Sequence, residues 1–317
     1  MPGLDPIVLF FLLGLATGLA RSSLRVPEAV YEGLSIYLLL SIGLKGGVEL
    51  ATSASWGLAL QLVFIVALGV ALPLIAYPVL RRIGRLGRAD AASIAAHYGS
   101  VSVVTFAVAT AYLARLGVGA EGHLAVFLVV LEVPAILVGI ALARRTGGPV
   151  PRGLRGLLHE VFLGKGVVLL LGGLLIGWYA GPAGIAPLAP LFFDLFKPAL
   201  ALFLLEMGLV TAARFADVRR AGPFLLAFGV AMPLFSALLG GALGVALGLS
   251  VGGTALLATL AASASYIAAP AAMRIAVPAA NPALSLAASL GVTFPFNVLL
   301  GIPLYYRLAL LLHGAGG

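Results

Sequence analysis

The sequence predicts an all-α integral membrane protein of about ten transmembrane helices, arranged as two inverted five-helix repeats with one broken helix in each half. Three observations carry that expectation. Charged residues make up 9% of the chain and hydrophobic ones 62%, where a soluble domain carries about a quarter charged, and mean hydropathy is +1.16. Apolar runs of about 20 residues, the length that crosses a hydrocarbon core, follow one another along the chain. Short motifs of the first half recur, in the same order, in the second.

Composition excludes several classes of function. The formal net charge is +8, but the basic residues stand in short clusters between apolar runs, where they orient a membrane protein. No nucleic-acid partner is expected. The chain has no cysteine, so disulfides, thiolate metal sites and cysteine nucleophiles are excluded. His97, His123, His159 and His313 lie far apart and offer no metal-ligand spacing. No Ser/His or carboxylate pair has the spacing of a catalytic centre, so an enzyme is not expected.

The expected spans are residues 5–21, 29–45, 55–80, 91–114, 122–143, 160–180, 190–212, 220–246, 251–276 and 283–306. The first run, Ile7 to Ala20, lacks a basic leader segment and a convincing cleavage site before Arg21, so it reads as a span. With the N-terminus outside, this alternation leaves only Lys45, Arg115, Lys197 and Arg307 of the 19 basic residues on the outer side. A miscounted span would scramble that asymmetry, so both termini are expected outside a cell (inner) membrane. The longest polar connection, Arg144 to Lys165, falls on the cytoplasmic side. It divides the chain into a first repeat, residues 1–146, a cytoplasmic linker, 147–162, and a second repeat, 163–317.

The repeat rests on three matches in order. Gly69 to Leu74 (GVALPL) in the third span returns as Gly229 to Leu234 (GVAMPL) in the eighth, offset 160. Ser41 to Lys45 (SIGLK) matches Glu206 to Val210 (EMGLV) at offset 165, and Val133-Pro134 matches Phe294-Pro295 at offset 161. Five spans per half is an odd number, so the second copy enters the membrane from the opposite side, as in many secondary transporters.

The fourth and ninth spans are expected to be broken. One holds His97 to Thr105 (HYGSVSVVT) and the other Ser263 to Pro270 (SASYIAAP). Small hydroxyl residues, with Gly99 in one and Pro270 in the other, suit an unwound midpoint whose freed backbone groups need polar neighbours. Half-helices beginning near Val103 and Pro270 would aim two positive dipole ends at the midplane and favour an anion there. Bicarbonate or a small carboxylate fits, oriented by the hydroxyls of Ser100, Ser102, Ser263 and Ser265. Close packing of small residues is the alternative reading of the same positions.

Glu132 is the acidic residue deep in the fifth span, and its repeat-mate is Thr293, followed by Pro295 and Asn297. A carboxylate in hydrocarbon must face a polar interior. It is a candidate Na⁺ ligand or proton carrier, or a structural partner of Arg274. Glu206 near the end of the seventh span, Arg274 after the second break, and His97 and Tyr98 beside the first are weaker candidates.

With these segments placed, the sequence resembles the sodium-dependent bicarbonate transporter superfamily. The resemblance rests on Val26-Pro27-Glu28, Ile42 to Gly47 (IGLKGG), Ala96 to Phe106 (AHYGSVSVVTF), Ser263 to Arg274 (SASYIAAPAAMR), Ala280-Asn281-Pro282 and Thr293 to Asn297 (TFPFN). It implies ten spans, a core domain in which the two broken helices cross, a gate domain, a homotrimer and Na⁺-coupled import of bicarbonate. By motif match, Gly99, Ser100, Val101 and Ser102, with Ser263, Ala264, Ser265 and Tyr266, form the expected substrate site. Glu132, Thr105, Thr293 and Asn297 form the expected Na⁺ coupling site, with no other metal and no cofactor. Tyr266 is a departure, since the cyanobacterial branch carries an aspartate there. That branch also binds a soluble PII-like regulator on its cytoplasmic face, a partner the short linker here leaves open.

The leading expectation is thus a secondary transporter for a small monoanion, working by alternating access as one bundle rocks against the other. A cation/proton antiporter with Glu132 as proton carrier and an anion channel of the same architecture are the alternatives. The repeated charged rings of selective pores are missing.

Overall fold

The structure is a computed structural model that describes residues 5–53, 56–144 and 163–314. The expected linker, 147–162, lies outside the described residues. Every regular element among the described residues is helical: α1 (Pro6–Leu19), α2 (Glu28–Ser53), α3 (Trp56–Pro78), α4 (Arg88–Gly99), α5 (Val103–Arg115), α6 (Leu124–Arg144), α7 (Lys165–Ile185), α8 (Phe196–Ala213), α9 (Phe215–Ala246), α10 (Val251–Ala262), α11 (Ala268–Ala276) and α12 (Pro282–Leu312). Hydrocarbon offers no partner for a backbone N–H or carbonyl, and only a helix satisfies them all within its own segment.

Among the described residues, eight stretches are long and apolar enough to cross a bilayer, with α4 and α5 counted together as Arg88–Arg115. The positions of the first and ninth expected spans hold the shorter apolar helices α1 and α10, and α10 passes through a break into α11. Two boundaries differ instructively from the sequence expectation. Helix α9 starts at Phe215, but Gly222 (φ 83°, ψ 166°) kinks it before Pro223, so the expected start at 220 marks the kink. Helix α12 carries wide turns at Ala287–Thr293 and Asn297–Gly301, either side of Pro295. Proline has no N–H to give the ladder, and a π-turn absorbs the mismatch.

Bonds between helix ends sort those ends into two layers. In one layer Arg115 pairs with Asp5 at 3.5 Å, the Ser250 N–H donates to Glu121 at 2.6 Å, and Thr254 bonds His313 at 2.9 Å. In the other, Lys165 pairs with Glu32 at 3.8 Å and the Asn281 N–H donates to Asp90 at 2.7 Å.

Two kinds of packing hold the helices. Helix α1 lies along α8, and α2 along α7. Both contacts are glycine seams: Gly14 faces the Leu205 carbonyl and Gly208 the Phe11 carbonyl, while Gly43 faces the Leu170 carbonyl and Gly173 the Leu40 carbonyl, with no room for a β-carbon at any of the four. Lipid tails are as apolar as leucine, so helices associate through such close backbone approach. The remaining helices pack around the breaks, α3 and α6 against α4, and α9 and α12 against α10.

Candidate functional site: two crossed helix breaks

Helix α4 ends at Gly99, Ser100 (φ −86°, ψ 174°) is extended, and α5 begins after Ser102 (φ −111°, ψ 113°). Helix α10 ends at Ala262, Ser263 (φ −80°, ψ 164°) is extended, and α11 resumes at Ala268, two residues before Pro270. The breaks cross and satisfy each other. The Ser102 N–H donates to Ser263 Oγ at 2.9 Å, and the Ser265 N–H donates to the His97 carbonyl at 2.8 Å. Gly99 sits where any β-carbon would strike Pro73 or Ala135, so the proline of GVALPL seats the first break directly.

The serine hydroxyls divide into two groups. Ser263 Oγ donates to the Leu260 carbonyl at 2.8 Å while accepting from Ser102 N, and Ser100 Oγ donates to the Glu132 carbonyl at 3.2 Å. Both of these hydroxyls donate to backbone carbonyls. Ser102 Oγ instead caps α5, accepting from the Thr105 N–H at 3.1 Å and the Thr105 hydroxyl at 2.9 Å. Ser265 Oγ accepts from the Ala269 N–H at 3.1 Å. Both accept only in these bonds, so their own hydrogens point to neither of these partners.

Val101 and Ala264 are buried beside the crossing. Tyr266 packs edge-on against Phe294, ring centres 5.3 Å apart, and its hydroxyl makes no hydrogen bond among the described residues. The Ser102 side chain lies near that hydroxyl.

Each of the four expected coupling residues has its own surroundings. Thr105 is tied to Ser102. Thr293 donates to the Gly229 carbonyl at 2.7 Å and so accepts from the Tyr98 hydroxyl at 2.7 Å. Asn297 donates to the Ala262 carbonyl at 3.0 Å, the last of α10, and accepts from Tyr305 at 2.7 Å. Both brace the breaks from the wide turns of α12. Glu132 is 3% exposed, its Oε2 has no partner among the described residues, and Oε1 faces Gly166 across the α6–α7 contact. No ion pair between Glu132 and Arg274 occurs among the described residues, so the structural reading of that carboxylate is not supported. No group of three or more His, Cys, Asp or Glu that could hold a metal ion occurs among the described residues.

Sequence reasoning did not anticipate Tyr305, whose hydroxyl fixes Asn297, or two cavities on opposite sides of the crossing. Tyr305 stands at the end of the expected tenth span, beside Tyr306 and Arg307, where no sequence signal marks it. The larger cavity, about 570 Å³, lies between α2, α5 and the start of α8 and is lined by Lys45, Glu49, Thr110, Glu121 and Lys197. The smaller, about 250 Å³, lies between α4, α11 and the start of α12.

Long apolar helices, a broken pair crossing within them and cavities on either side define a multi-pass membrane protein of the transporter class. Comparison with known families narrows this further. The chain belongs to the Na⁺-dependent bicarbonate transporter superfamily, whose family model matches residues 6–310, nearly its whole length. Membership makes it a transporter rather than an enzyme. Among curated proteins no match to the chain is found.

Proposed function

We propose that this chain is a secondary transporter that imports bicarbonate or a similar small monoanion with Na⁺, by alternating access around the crossed breaks. The observation that carries the proposal is the crossing itself. The half-helices α5 and α11 both start there, and the N–H groups of Val103, Val104 and Ala268 take no partner among the described residues. Unpaired N–H groups at two helix starts form a field suited to a small anion. The free hydrogens of Ser102 and Ser265 supply the orienting hydroxyls, and Glu132 supplies the negative charge for the cation.

Inverted duplication belongs to the same proposal, with 1–146 and 163–317 as the halves. The two breaks fall at corresponding places, since Ser100 and Ser263 are each the extended residue that follows the helix end, 163 residues apart. The glycine seams agree. Gly14 with Leu205 and Gly173 with Leu40 are the same contact with the halves exchanged, since Leu40 and Leu205 are related by the 165-residue offset. We place α1, α2, α7 and α8 in a gate bundle, the other helices in a core, and three copies in the assembly.

The test is uptake of labelled bicarbonate into liposomes holding the purified protein, with and without an inward Na⁺ gradient. Gradient-dependent accumulation is expected. No bicarbonate uptake, together with an alkaline shift of the lumen that an inward Na⁺ gradient drives in bicarbonate-free buffer, would instead favour the cation/proton antiporter reading, for which Glu132 Oε2, without a partner among the described residues, is the specific observation.

A further inference from the structure

We infer that the larger cavity, between α2, α5 and the start of α8, is a binding site for organic monocarboxylates that carry an apolar ring, and that such an occupant blocks transport. Binding stands on the cavity alone, while the block rests on the moving gate and core bundles proposed above. Lys45 on α2 and Lys197 in the first turn of α8 line the cavity, together with the carboxylates of Glu49, Asp194 and Glu121. It reaches the layer of helix ends that holds Glu121 and Ser250.

Lys45 is the charge that calls for an explanation. It stands about two turns, roughly 12 Å, before Ser53 ends α2, within a stretch long and apolar enough to cross a bilayer. Its side chain is exposed, and neither it nor Lys197 enters an ion pair among the described residues. An ammonium at that depth persists only against water or an anion. Glu121 does not supply one, because both its oxygens go to Ser250, accepting the N–H at 2.6 Å and the hydroxyl at 3.1 Å. Glu49 lies one turn nearer the end of α2, its stem packed against Gly122. An anion that reaches Lys45 passes these carboxylates, and their repulsion favours a single charge over two.

The rest of the wall is aromatic. Phe106 of α5 is buried, and Phe192, Phe193 and Phe196 are half-buried along the same space. Such rings give a hydrated inorganic anion no bond, but they offer an aromatic ligand stacked or edge-on contacts. The volume, about 570 Å³, falls within the roughly 300–1,000 Å³ of sites that enclose a ligand of drug size. A carboxylate on Lys45 with its ring among the phenylalanines uses both features of the cavity. A small inorganic monoanion uses the first alone. Phe106 belongs to the core and Lys45 to the gate, so the occupant touches both bundles and holds them apart.

The experiment is calorimetric titration of the purified full-length protein with naphthoate, with the uncharged naphthalenemethanol and with acetate, beside bicarbonate uptake in liposomes. Wild type is expected to bind naphthoate at least about tenfold more tightly than either, because the alcohol lacks the charge and acetate lacks the ring. Lys45→Gln should remove the advantage over the alcohol, and Lys45→Arg should keep it. Phe193→Ala should weaken naphthoate by about tenfold and leave acetate unchanged. Naphthoate should slow uptake at the concentrations at which it binds. Equal binding of naphthoate and the alcohol to wild type overturns the inference, and so does an undiminished advantage in folded Lys45→Gln. If that variant does not fold, unchanged naphthoate binding by Phe193→Ala overturns it. Naphthoate that binds and leaves uptake at its full rate also overturns it. Binding as expected by a protein that takes up no bicarbonate upholds the site and counts against the import reading instead.

Discussion

At Glu132 and at the four serines, the same residue types do different work because their neighbours differ. Glu132 keeps a partnerless oxygen in the interior, and a buried charge persists only with a counter-charge or a proton. Glu132→Gln should fold, with an unchanged elution profile, and lose Na⁺-stimulated uptake by at least about tenfold; normal Na⁺-dependent flux would remove it from the coupling site. Ser100 is committed to the Glu132 carbonyl, whereas Ser265 keeps its hydrogen. Ser265→Ala should therefore weaken anion affinity more than Ser100→Ala, and a titration ranking them the other way would contradict the proposed orientation. Ser263→Ala leaves the Ser102 N–H buried without an acceptor. A loss of about 1–3 kcal/mol in unfolding free energy is expected, read as a lower denaturant midpoint.

Elements here are cut to length by proline and glycine. Pro73 seats against Gly99, Pro295 sits between two wide turns, and Gly222 with Pro223 bends α9. The motifs that located these elements were legible because proline and glycine act through local backbone geometry, whatever surrounds them. Helix ends were less legible: α2 runs to Ser53, well past the expected 45, because Lys45 lines a cavity and does not end the helix. The glycine seams carry a prediction at this scale. Gly43→Leu on α2 should prise α2 from α7 and abolish recovery of monodisperse protein. Gly33→Leu, on the same helix but with no atom within 4 Å of the place a β-carbon would take, should be recovered like wild type.

For the whole molecule, the two layers of helix ends make orientation testable, and the absence of cysteine gives a clean background. A cysteine at Glu121 or Ser250 should react with an impermeant maleimide from outside intact cells, and one at Asp90 or Asn281 only after lysis. The reverse pattern would invert the proposed topology without disturbing the fold.

Sequence alone determined that the chain lives in a bilayer, that its regular structure is helical, and where two helices break. Those properties follow from hydropathy and from backbone chemistry that each segment carries by itself. Only the tertiary structure decided what the breaks do to each other. Ser102 and Ser263 stand 161 residues apart, and no local property of either says that one N–H will find the other's hydroxyl. Nor could sequence say which hydroxyls the backbone consumes, or that Thr293 and Asn297 brace the breaks. Hydrogen-bond partners are assigned by packing, and packing exists only once the helices have met.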